Sequence, residues 1–323
     1  MGSFSNDPMN DVHIPRRGEV WVGMLLYPRH TLPTAAAPVI VACALAARDH
    51  VLAWAPALAA FLAGWLIQLG GVIADNYNNL VRHGDDREHA AFVRALNAGV
   101  VTFRELRLTI VGCFGVAGLA GLYLLYVAGV PVVLVGLASI VAALAYSTGP
   151  FPLGDNGLGD VLFVAFFGVV SVMGTYYVQA AAVLSPPLSL ALSLPAGTLT
   201  WPVFLASLAV GALTTNILLI DNLRDLEFDR EKNERTLAVL IGPGWTRVEF
   251  VAFQALAFVV PFWFLRAGGA GPRALLPLLS LPYAVQIVRR VLRLKTYESL
   301  IPMTPQQGQL LLAFSVLFAI GIL

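Results

Sequence analysis

The sequence predicts an all-α membrane protein built from nine transmembrane helices. Three observations lead to this prediction. Of the 323 residues, 58% are hydrophobic and only 12% are charged, whereas a soluble domain carries roughly a quarter charged residues. The apolar residues form successive runs of about 20, the length at which a helix crosses a bilayer. The basic residues fall between these runs in an alternating pattern.

Nine apolar segments are the candidate spans. They cover residues 31–47, 51–74, 108–128, 131–147, 160–183, 200–220, 247–267, 273–289 and 307–323. Some neighbours are joined by a tight turn, such as Gly129-Val130-Pro131. The stretch before them is polar and lacks the apolar core of a secretory signal. The predicted organisation is therefore a polar N-terminal segment, 1–28, and one membrane domain, 29–323.

The basic residues predict the orientation. If the N-terminus is cytoplasmic and nine spans alternate, all but three of the 20 lysines and arginines lie on the cytoplasmic side. The exceptions are Arg48, Arg266 and Arg273. Cytoplasmic loops of membrane proteins carry such an excess, so we expect a multi-pass protein of the inner (cytoplasmic) membrane, in contact with bilayer lipid. A net charge of +1 gives no electrostatic basis for nucleic-acid binding.

The clearest chemical motif follows the sixth predicted span, at the start of a predicted cytoplasmic loop, 221–246. Asp221, Asp225 and Asp229 are spaced at i, i+4 and i+8, which places them on one side of a helix over two turns. Carboxylates at the end of a membrane helix repel one another, and a divalent cation would neutralise them. Mg²⁺ prefers carboxylate oxygens and also binds phosphate. The alternative is a solvated helix with salt bridges between neighbouring turns.

A second polar cluster follows the second predicted span, in a predicted loop, 75–107. It contains Asp75, Asn76, Asn79, Arg82 and Asp85. Asp75 and Asn79 share a helix face. An asparagine oxygen can bind Mg²⁺ but brings no negative charge, so this cluster predicts a weaker metal site than the cluster at 221–229.

A third segment, 146–160, connects the fourth and fifth predicted spans. It holds four glycines and two prolines between Tyr146 and Asp160, which indicates a tightly turned loop. By composition alone, a simple helix connector would satisfy the same pattern.

These segments together resemble a known family. The segment 146–160, with Phe166-Phe167-Gly168 and 174–179 after it, is similar to the 1,4-dihydroxy-2-naphthoate prenyltransferases, a branch of the UbiA superfamily. The stretches 221–229 and 235–239 are similar to the second aspartate motif of that branch and the residues that follow it. Gln68 and Arg94 also stand where the branch has such residues. The resemblance extends from about residue 27 to the C-terminus.

The first aspartate motif departs from the superfamily pattern. That pattern begins Asn-Asp and has an Asp three residues later. Here the order is Asp75-Asn76, and the later position is Asn79. Two expected carboxylates are therefore amides, although Asp75 could replace one of them.

The resemblance implies nine transmembrane helices around a central cavity, with cytoplasmic loops that cap it and carry both motifs. It implies Mg²⁺ held by the second motif with help from the first: Asp221, Asp225, Asp229, Asp75, Asn79 and Asp85. The expected catalytic residues are the three aspartates of the second motif and Tyr146. The base that acts on the acceptor is left open, and Tyr146, Tyr176 and Tyr177 are candidates because of their hydroxyls. The expected substrate-binding residues are Gln68, Asn76, Asn79, Arg82, Arg94, Tyr176, Tyr177, Arg224, Lys232 and Arg235.

The expected reaction is Mg²⁺-dependent transfer of a prenyl group from a prenyl diphosphate to an aromatic acceptor, 1,4-dihydroxy-2-naphthoate or a related phenol. One alternative is a UbiA-type terpene cyclase, in which the allylic cation is quenched internally. Another is a catalytically silent relative that binds a prenyl lipid or a partner. The amides of the first motif favour the alternatives, whereas the complete second motif argues against a loss of chemistry.

Overall fold

The computed structural model describes residues 14–26, 31–83, 90–185 and 194–323, and every regular element in these ranges is helical. The α-helices are α1 (Arg17–Leu26), α2 (Thr31–Arg48), α3 (Trp54–His83), α4 (Ala90–Asn97), α5 (Phe103–Ala128), α6 (Val130–Ser147), α7 (Gly159–Phe163), α8 (Ser171–Leu184), α9 (Trp201–Arg224), α10 (Leu226–Glu231), α11 (Leu237–Arg266), α12 (Leu281–Arg293), α13 (Tyr297–Leu300) and α14 (Met303–Ile322). A π-helical segment, Val164–Val170, joins α7 to α8, and a 3₁₀ segment, Gly271–Ser280, precedes α12. The predicted all-α fold is confirmed.

The described helices account for all nine predicted spans. Eight are long and apolar enough to cross a membrane, and the predicted first span is a shorter apolar helix, Leu32–Arg48. The chain is therefore a multi-pass membrane protein. The N-terminal part of the chain contains α1, whose Val20 belongs to an apolar cluster with residues of α3, α4 and α5, and Arg17 pairs with Glu105 of α5. The boundary predicted near residue 28 remains a prediction.

Two predicted loops are largely helical. The helix α3 continues through the first aspartate motif to His83, and α5 already begins at Phe103, after a capping box formed by Thr102 and Glu105. The predicted loop 75–107 is therefore wrong over 75–83, 90–97 and 103–107. The predicted loop 221–246 is helical over 221–224, 226–231 and 237–246, apart from a kink at Gly242. Polarity misled the prediction because residues such as Asn76, only 7% exposed, face the protein interior instead of water.

The helix α9 is the central element of the bundle. In its apolar window 83% of the residues are buried, between α11, α14 and the π-helical segment. Gly168 and Gly211 allow the backbones to approach closely, because a Cβ atom on Gly168 would lie 2.7 Å from the Gly211 Cα. Small residues at such crossings are a common device of membrane helix packing. The helix α9 is therefore tightly packed in the bundle, and its last turn carries Asp221, the first residue of the second aspartate motif.

Buried amides also fix α9 to its neighbours. The Asn216 Nδ2 atom donates to the Gln254 Oε1 atom of α11 at 2.7 Å and to the Phe250 carbonyl oxygen at 3.1 Å. From α14, the Gln307 side chain donates to the Leu213 carbonyl oxygen at 3.1 Å. Interhelical hydrogen bonds of this kind stabilise and align membrane helices.

Candidate active site

Two carboxylates of the second motif are joined by one arginine. The Arg224 Nη1 atom donates to the Asp221 Oδ1 atom at 2.7 Å. Its Nε and Nη2 atoms donate to the two oxygens of Asp225 at 2.9 and 2.5 Å. The Arg224 side chain is only 7% exposed. A guanidinium therefore stands between two aspartates at the end of a membrane helix, where a divalent cation was expected.

The helix is interrupted within this motif. The helix α9 ends at Arg224, and α10 begins at Leu226, with Asp225 between them at φ −91° and ψ 3°. The predicted continuous helix over two turns is therefore wrong. Beyond the break Asp229 is buried and accepts a hydrogen bond from the Thr236 hydroxyl at 3.0 Å. Asp229 consequently makes its contact with the start of α11 and not with Arg224.

Residues far along the chain complete the surroundings of Arg224. The Arg224 guanidinium carbon lies 5.8 Å from the centre of the Tyr297 ring, and Phe228 packs edge-on against the same ring. The Thr304 hydroxyl, buried at the start of α14, donates to the Asp221 Oδ1 atom at 2.7 Å. Neither Tyr297 nor Thr304 belongs to a recognisable motif, so only the folded structure identifies them.

The carboxyl groups around the break between α9 and α10 have too little positive charge nearby to offset their burial. Burial raises the pKa of Asp229 to about 7, against the opposing effect of the Thr236 hydroxyl. Burial likewise raises the pKa of Glu234 to about 7, with Asp155 as the next contributor. Burial also raises the pKa of Asp225, because it outweighs the Arg224 guanidinium. Lys232 acts favourably on all three carboxylates, but it does not compensate for their burial.

This shortage predicts a pH dependence of stability. Without divalent metal, acidification from about pH 8 to about pH 6 should raise the apparent Tm of the purified protein in detergent. The pKa of Asp229 and Glu234 is about 7 in the folded protein, whereas free carboxyls titrate near pH 4. The folded state therefore binds more protons between these values, and the associated stability is lost as the pH rises through about 7.

An Asp229→Asn variant should show a weaker dependence of Tm on pH, because it lacks one of the two shifted carboxyls. Glu231→Gln is the matched control, since Glu231 is exposed at the end of the same helix. An apparent Tm that falls on acidification, or a slope unaffected by Asp229→Asn, would contradict the charge shortage.

Tyr146 lies between the two aspartate motifs. The carboxylates of Asp75, Asp155, Asp160 and Asp221 all act electrostatically on its hydroxyl. The motif of α3 and the motif of α9 therefore meet at one end of the bundle, which we call the aspartate end.

The predicted tight loop closes on the Tyr146 ring. A Cβ atom on Gly154 would lie 2.8 Å from that ring, so a glycine is required there. Gly157 adopts a left-handed conformation, with φ 78°. The backbone of Arg235 donates to the Asp155 carbonyl oxygen at 2.6 Å, which ties this loop to the segment that follows the second motif. The Arg235 side chain is exposed.

The first motif lies on the last turns of α3. Asn76 is buried, and the Asn78 side chain donates to the Thr148 hydroxyl oxygen at 2.8 Å, beside Tyr146. Asn79 and Arg82 belong to the same helix, but the description of their side chains, and the whole of Asp85, lies outside the described residues. The predicted metal-binding role of Asn79 and Asp85 therefore stays a prediction.

Two other predicted residues lie on neighbouring elements. Gln68, two turns before Asp75 on α3, donates to the Thr34 hydroxyl oxygen of α2 at 2.7 Å. Arg94 is half-buried on α4, in the part of the fold where Ala95 packs against α3 and α5. Within the described part of the chain Arg94 forms no ion pair. Its predicted role in substrate binding remains a prediction.

Tyr176 and Tyr177 are at the opposite end of the bundle. Tyr176 donates to the Asp49 carboxylate at 2.8 Å, and Tyr177 donates to the Ala128 carbonyl oxygen at 2.7 Å. Asp49 directly follows α2, and Ala128 is the last residue of α5, and both helices begin at or near the aspartate end. Tyr176 is 16 residues from Asp160, about 24 Å along a helix. The structure therefore does not bring these tyrosines together with the aspartates, and their hydroxyls join helices.

The sequence matches the UbiA prenyltransferase family over residues 35–320, which is most of the chain. The chain belongs to this family. A 1,4-dihydroxy-2-naphthoate octaprenyltransferase of Escherichia coli (strain K12) is 31% identical over 298 residues, or 90% of this chain and 92% of that protein. The chain is therefore a prenyltransferase, as the resemblance in the sequence implied.

Solved UbiA structures have the same fold. The apo structure of a UbiA homolog from Aeropyrum pernix K1 aligns with a TM-score of 0.65 at 19% identity, over 91% of this chain and 97% of that chain. A UbiA homolog from Archaeoglobus fulgidus, bound to GPP and Mg²⁺, aligns with a TM-score of 0.54 at 14% identity, over 91% and 99%. A metal and a prenyl diphosphate have thus been observed together in a member of this fold.

The aspartate end of this UbiA protein suits Mg²⁺ in its chemistry. Its donors are carboxylates, and burial raises the pKa of several of them, so a divalent cation would lower their energy. In the described residues no three acidic, histidine or cysteine side chains lie close enough to hold one ion, and Arg224 donates hydrogen bonds to Asp221 and Asp225. Binding of the ion would therefore require Arg224 to give up at least part of its hydrogen bonding.

Proposed function

We propose that the protein transfers a prenyl group from a prenyl diphosphate to 1,4-dihydroxy-2-naphthoate or a related phenol, with Mg²⁺ as its cofactor. The single observation that carries the proposal is the Asp221–Arg224–Asp225 group, beside carboxylates that lack compensating charge. The name of the Escherichia coli relative supports naphthoate as the acceptor, and the reaction would serve menaquinone biosynthesis.

The donor would bind at the aspartate end. Asp221, Asp225 and Asp229, with Asp75, Asn79 and Asp85 from the first motif, are the residues that would hold Mg²⁺. When bound, this ion supplies positive charge to a diphosphate leaving group. Arg224 and Lys232 would contact diphosphate oxygens directly, with further contacts from Arg82 and Arg235, because charge-assisted hydrogen bonds to phosphate are strong.

In this proposal Arg224 neutralises the aspartates until the donor and its metal ion bind. In the free protein its guanidinium donates to Asp221 and Asp225, the Tyr297 ring lies against the guanidinium, and the Thr304 hydroxyl donates to Asp221. When the donor arrives, the same guanidinium can turn its N–H groups toward the diphosphate. The site would therefore exchange one set of opposite charges for another without leaving a carboxylate unpaired.

The reaction itself breaks the bond between the allylic carbon and the diphosphate oxygen, and both bonding electrons leave with the diphosphate. The ring carbon that bears the carboxylate attacks the allylic carbon, a carbon–carbon bond forms, and carbon dioxide leaves. The apolar interior of the bundle would exclude water from the allylic cation. Tyr146 lies at the boundary between that interior and the charged groups, where its ring would separate the two.

The proposed location is the inner membrane, with the N-terminus and the aspartate end in the cytoplasm. The bias of lysine and arginine supports this orientation. The naphthoate and the charged diphosphate head group would reach the aspartate end from the cytoplasmic side, and the apolar prenyl tail would extend between the spans.

Membranes that contain the protein, supplied with Mg²⁺ and labelled farnesyl or geranylgeranyl diphosphate, test the proposal. We expect a prenylated naphthoquinol that forms only when 1,4-dihydroxy-2-naphthoate is present, and that disappears in an Asp225→Ala variant. Labelled hydrocarbon or alcohol without an acceptor would indicate a cyclase. No consumption of either donor would indicate a silent relative. The amides of the first motif are the feature that makes both outcomes worth testing.

A further inference from the structure

Among the described residues, Asp160 is the one carboxyl group of which both oxygens are buried without a hydrogen-bond partner. It is 3% exposed. It is the second residue of α7, at the beginning of a membrane span. The motifs and their assigned roles leave it without a function.

A carboxyl group in this position needs an explanation. Burying a polar group without a hydrogen bond is unfavourable, and burying an ionised one is far more so. Nearly all buried polar groups in native proteins are satisfied, and ionisable residues inside membrane spans are commonly functional. The described residues offer Asp160 no donor, and a bound molecule could supply one.

The location of Asp160 indicates which bound molecule could supply the missing hydrogen-bond donor. A Cβ atom on the adjacent Gly159 would lie 3.6 Å from the Tyr146 hydroxyl oxygen and 3.3 Å from the Leu218 side chain. Leu218 precedes Asp221 by three residues, a rise of about 4.5 Å along the helix. Asp160 therefore lies about one helical turn deeper than the aspartates, close to Tyr146, on whose hydroxyl it acts electrostatically.

The surroundings favour a neutral donor over a cation. The other carboxyl group that acts on Asp160 is Glu249 of α11, whose Oε2 atom is also buried without a partner. Mg²⁺ bound by only two carboxylates keeps several water ligands, whereas Asp160 is buried away from water, and the described residues provide no third acidic side chain there. A phenolic O–H brings one donor without a charge and suits an apolar layer.

We propose that the carboxyl of Asp160 accepts a hydrogen bond from a phenolic hydroxyl of the aromatic acceptor. This inference rests on the proposed function and specifies how the acceptor is held. The ring would lie below Tyr146, so that its carboxylate-bearing carbon faces the donor from the apolar side. The diphosphate would remain with the aspartates about one turn higher.

The hydrogen bond between the phenolic hydroxyl and Asp160 also provides a route for the phenolic proton during the reaction. As the ring carbon attacks, the phenolic oxygen forms a carbonyl group and its proton passes to Asp160. The bond between ring and carboxylate then breaks, carbon dioxide leaves, and the bonding pair restores the aromatic ring. The oxygen recovers the proton from Asp160, so the residue ends unchanged and no other proton acceptor is needed.

The test compares wild-type protein with Asp160→Asn, using 1,4-dihydroxy-2-naphthoate as the probe. We expect the acceptor kcat/KM to fall by about 100-fold, as is typical when a proton-transfer group is removed, and the acceptor KM to rise at least about tenfold. The KM for the prenyl diphosphate and the Mg²⁺ requirement should stay within about threefold. Glu227→Gln, which changes an exposed carboxylate on α10, is the control, and it should leave the acceptor KM unchanged.

Thermal unfolding in detergent separates this role from a structural one. Because Asp160→Asn removes an unpartnered buried carboxyl, the variant without ligand should unfold at the same or a higher apparent Tm. Added 1,4-dihydroxy-2-naphthoate should raise the Tm of the wild type and have little effect on the variant.

Three results would overturn the inference. They are an unchanged acceptor KM, a loss confined to donor or Mg²⁺ binding, and a lower Tm with normal kinetics. If the wild type prenylates the acceptor and one of these is found, only the inference fails. If the wild type neither binds nor prenylates any aromatic acceptor, the proposed function fails and the inference fails with it.

Discussion

Replacement of Asp225 with asparagine should lower prenyl transfer by at least about 100-fold, with folded protein still obtained. The carboxylate of Asp225 receives two hydrogen bonds from Arg224, and it is one of the proposed ligands of Mg²⁺. The amide keeps the shape of the side chain but removes its negative charge. Loss of one group that stabilises charge in the transition state commonly costs a factor of about 10²–10³. Turnover per folded protein, measured after size-exclusion chromatography, checks this expectation.

Glu227→Gln is the matched control for Asp225→Asn. Glu227 is only two residues away and also pairs with an arginine, Arg230, but both side chains are exposed, at 76% and 45%. An exposed pair of this kind contributes little, so activity should stay within about twofold of the wild type. Equal losses in both variants would show that general disturbance of α10, and not the Asp225 carboxylate, lowers activity.

Replacement of Gly168 with alanine should be among the most destabilising single substitutions in the bundle. The added methyl group would lie 2.7 Å from the Gly211 Cα and 2.9 Å from the Ser207 carbonyl oxygen. Both contacts are with backbone atoms, so rotation of a side chain cannot relieve the clash. Overpacking of this kind costs about 1–3 kcal/mol. It would also move α9, which carries Asp221. We expect a clear decrease in apparent Tm in detergent and a lower yield of monodisperse protein.

Gly174→Ala is the control for this prediction. Gly174 lies on the continuation of the same span, and a Cβ atom there would meet nothing within 4 Å. Its substitution should leave the apparent Tm unchanged or slightly higher, because alanine favours helix more than glycine. If Gly168→Ala and Gly174→Ala have equal Tm values, the close crossing of α9 with the π-helical segment does not determine stability.

The membrane bundle could be predicted from the sequence because hydropathy and the positions of arginine report directly on a bilayer. The limits of the helices could not. Asp75 and Asn76 look like loop residues, yet α3 continues beneath them, because a polar residue that faces a protein interior is as compatible with a helix as one that faces water. Their sequence does not state which of these surroundings they have.

Only part of the candidate site could be predicted from the sequence, because contacts between distant residues leave no local pattern. The spacing of Asp221, Asp225 and Asp229 correctly drew attention to the end of α9, but it could not reveal the break at Asp225 or the position of Arg224. Thr304 reaches Asp221 across 83 residues of chain, and no local pattern encodes such a contact. Tyr176 and Tyr177 were selected for their hydroxyls, and the fold places them at the opposite end, where they join helices.

The amides of the first motif bear on whether the protein is an active enzyme or a silent relative. Asn76 and Asn79 stand where the superfamily resemblance implies carboxylates, so this half of the site has less negative charge than the second motif. Asp75 acts electrostatically on Tyr146 and Glu234, and it is therefore near enough to contribute its charge to the same site. This placement supports an active enzyme over a silent relative.

The most direct measurement is the fate of the acceptor carboxylate. Purified protein would receive Mg²⁺, geranylgeranyl diphosphate and 1,4-dihydroxy-2-naphthoate labelled at its carboxyl carbon. We predict one labelled carbon dioxide for each prenylated naphthoquinol, and a product that has lost the label. Release of diphosphate without labelled carbon dioxide, or no turnover of donor and acceptor at all, would contradict prenyl transfer to the naphthoate ring.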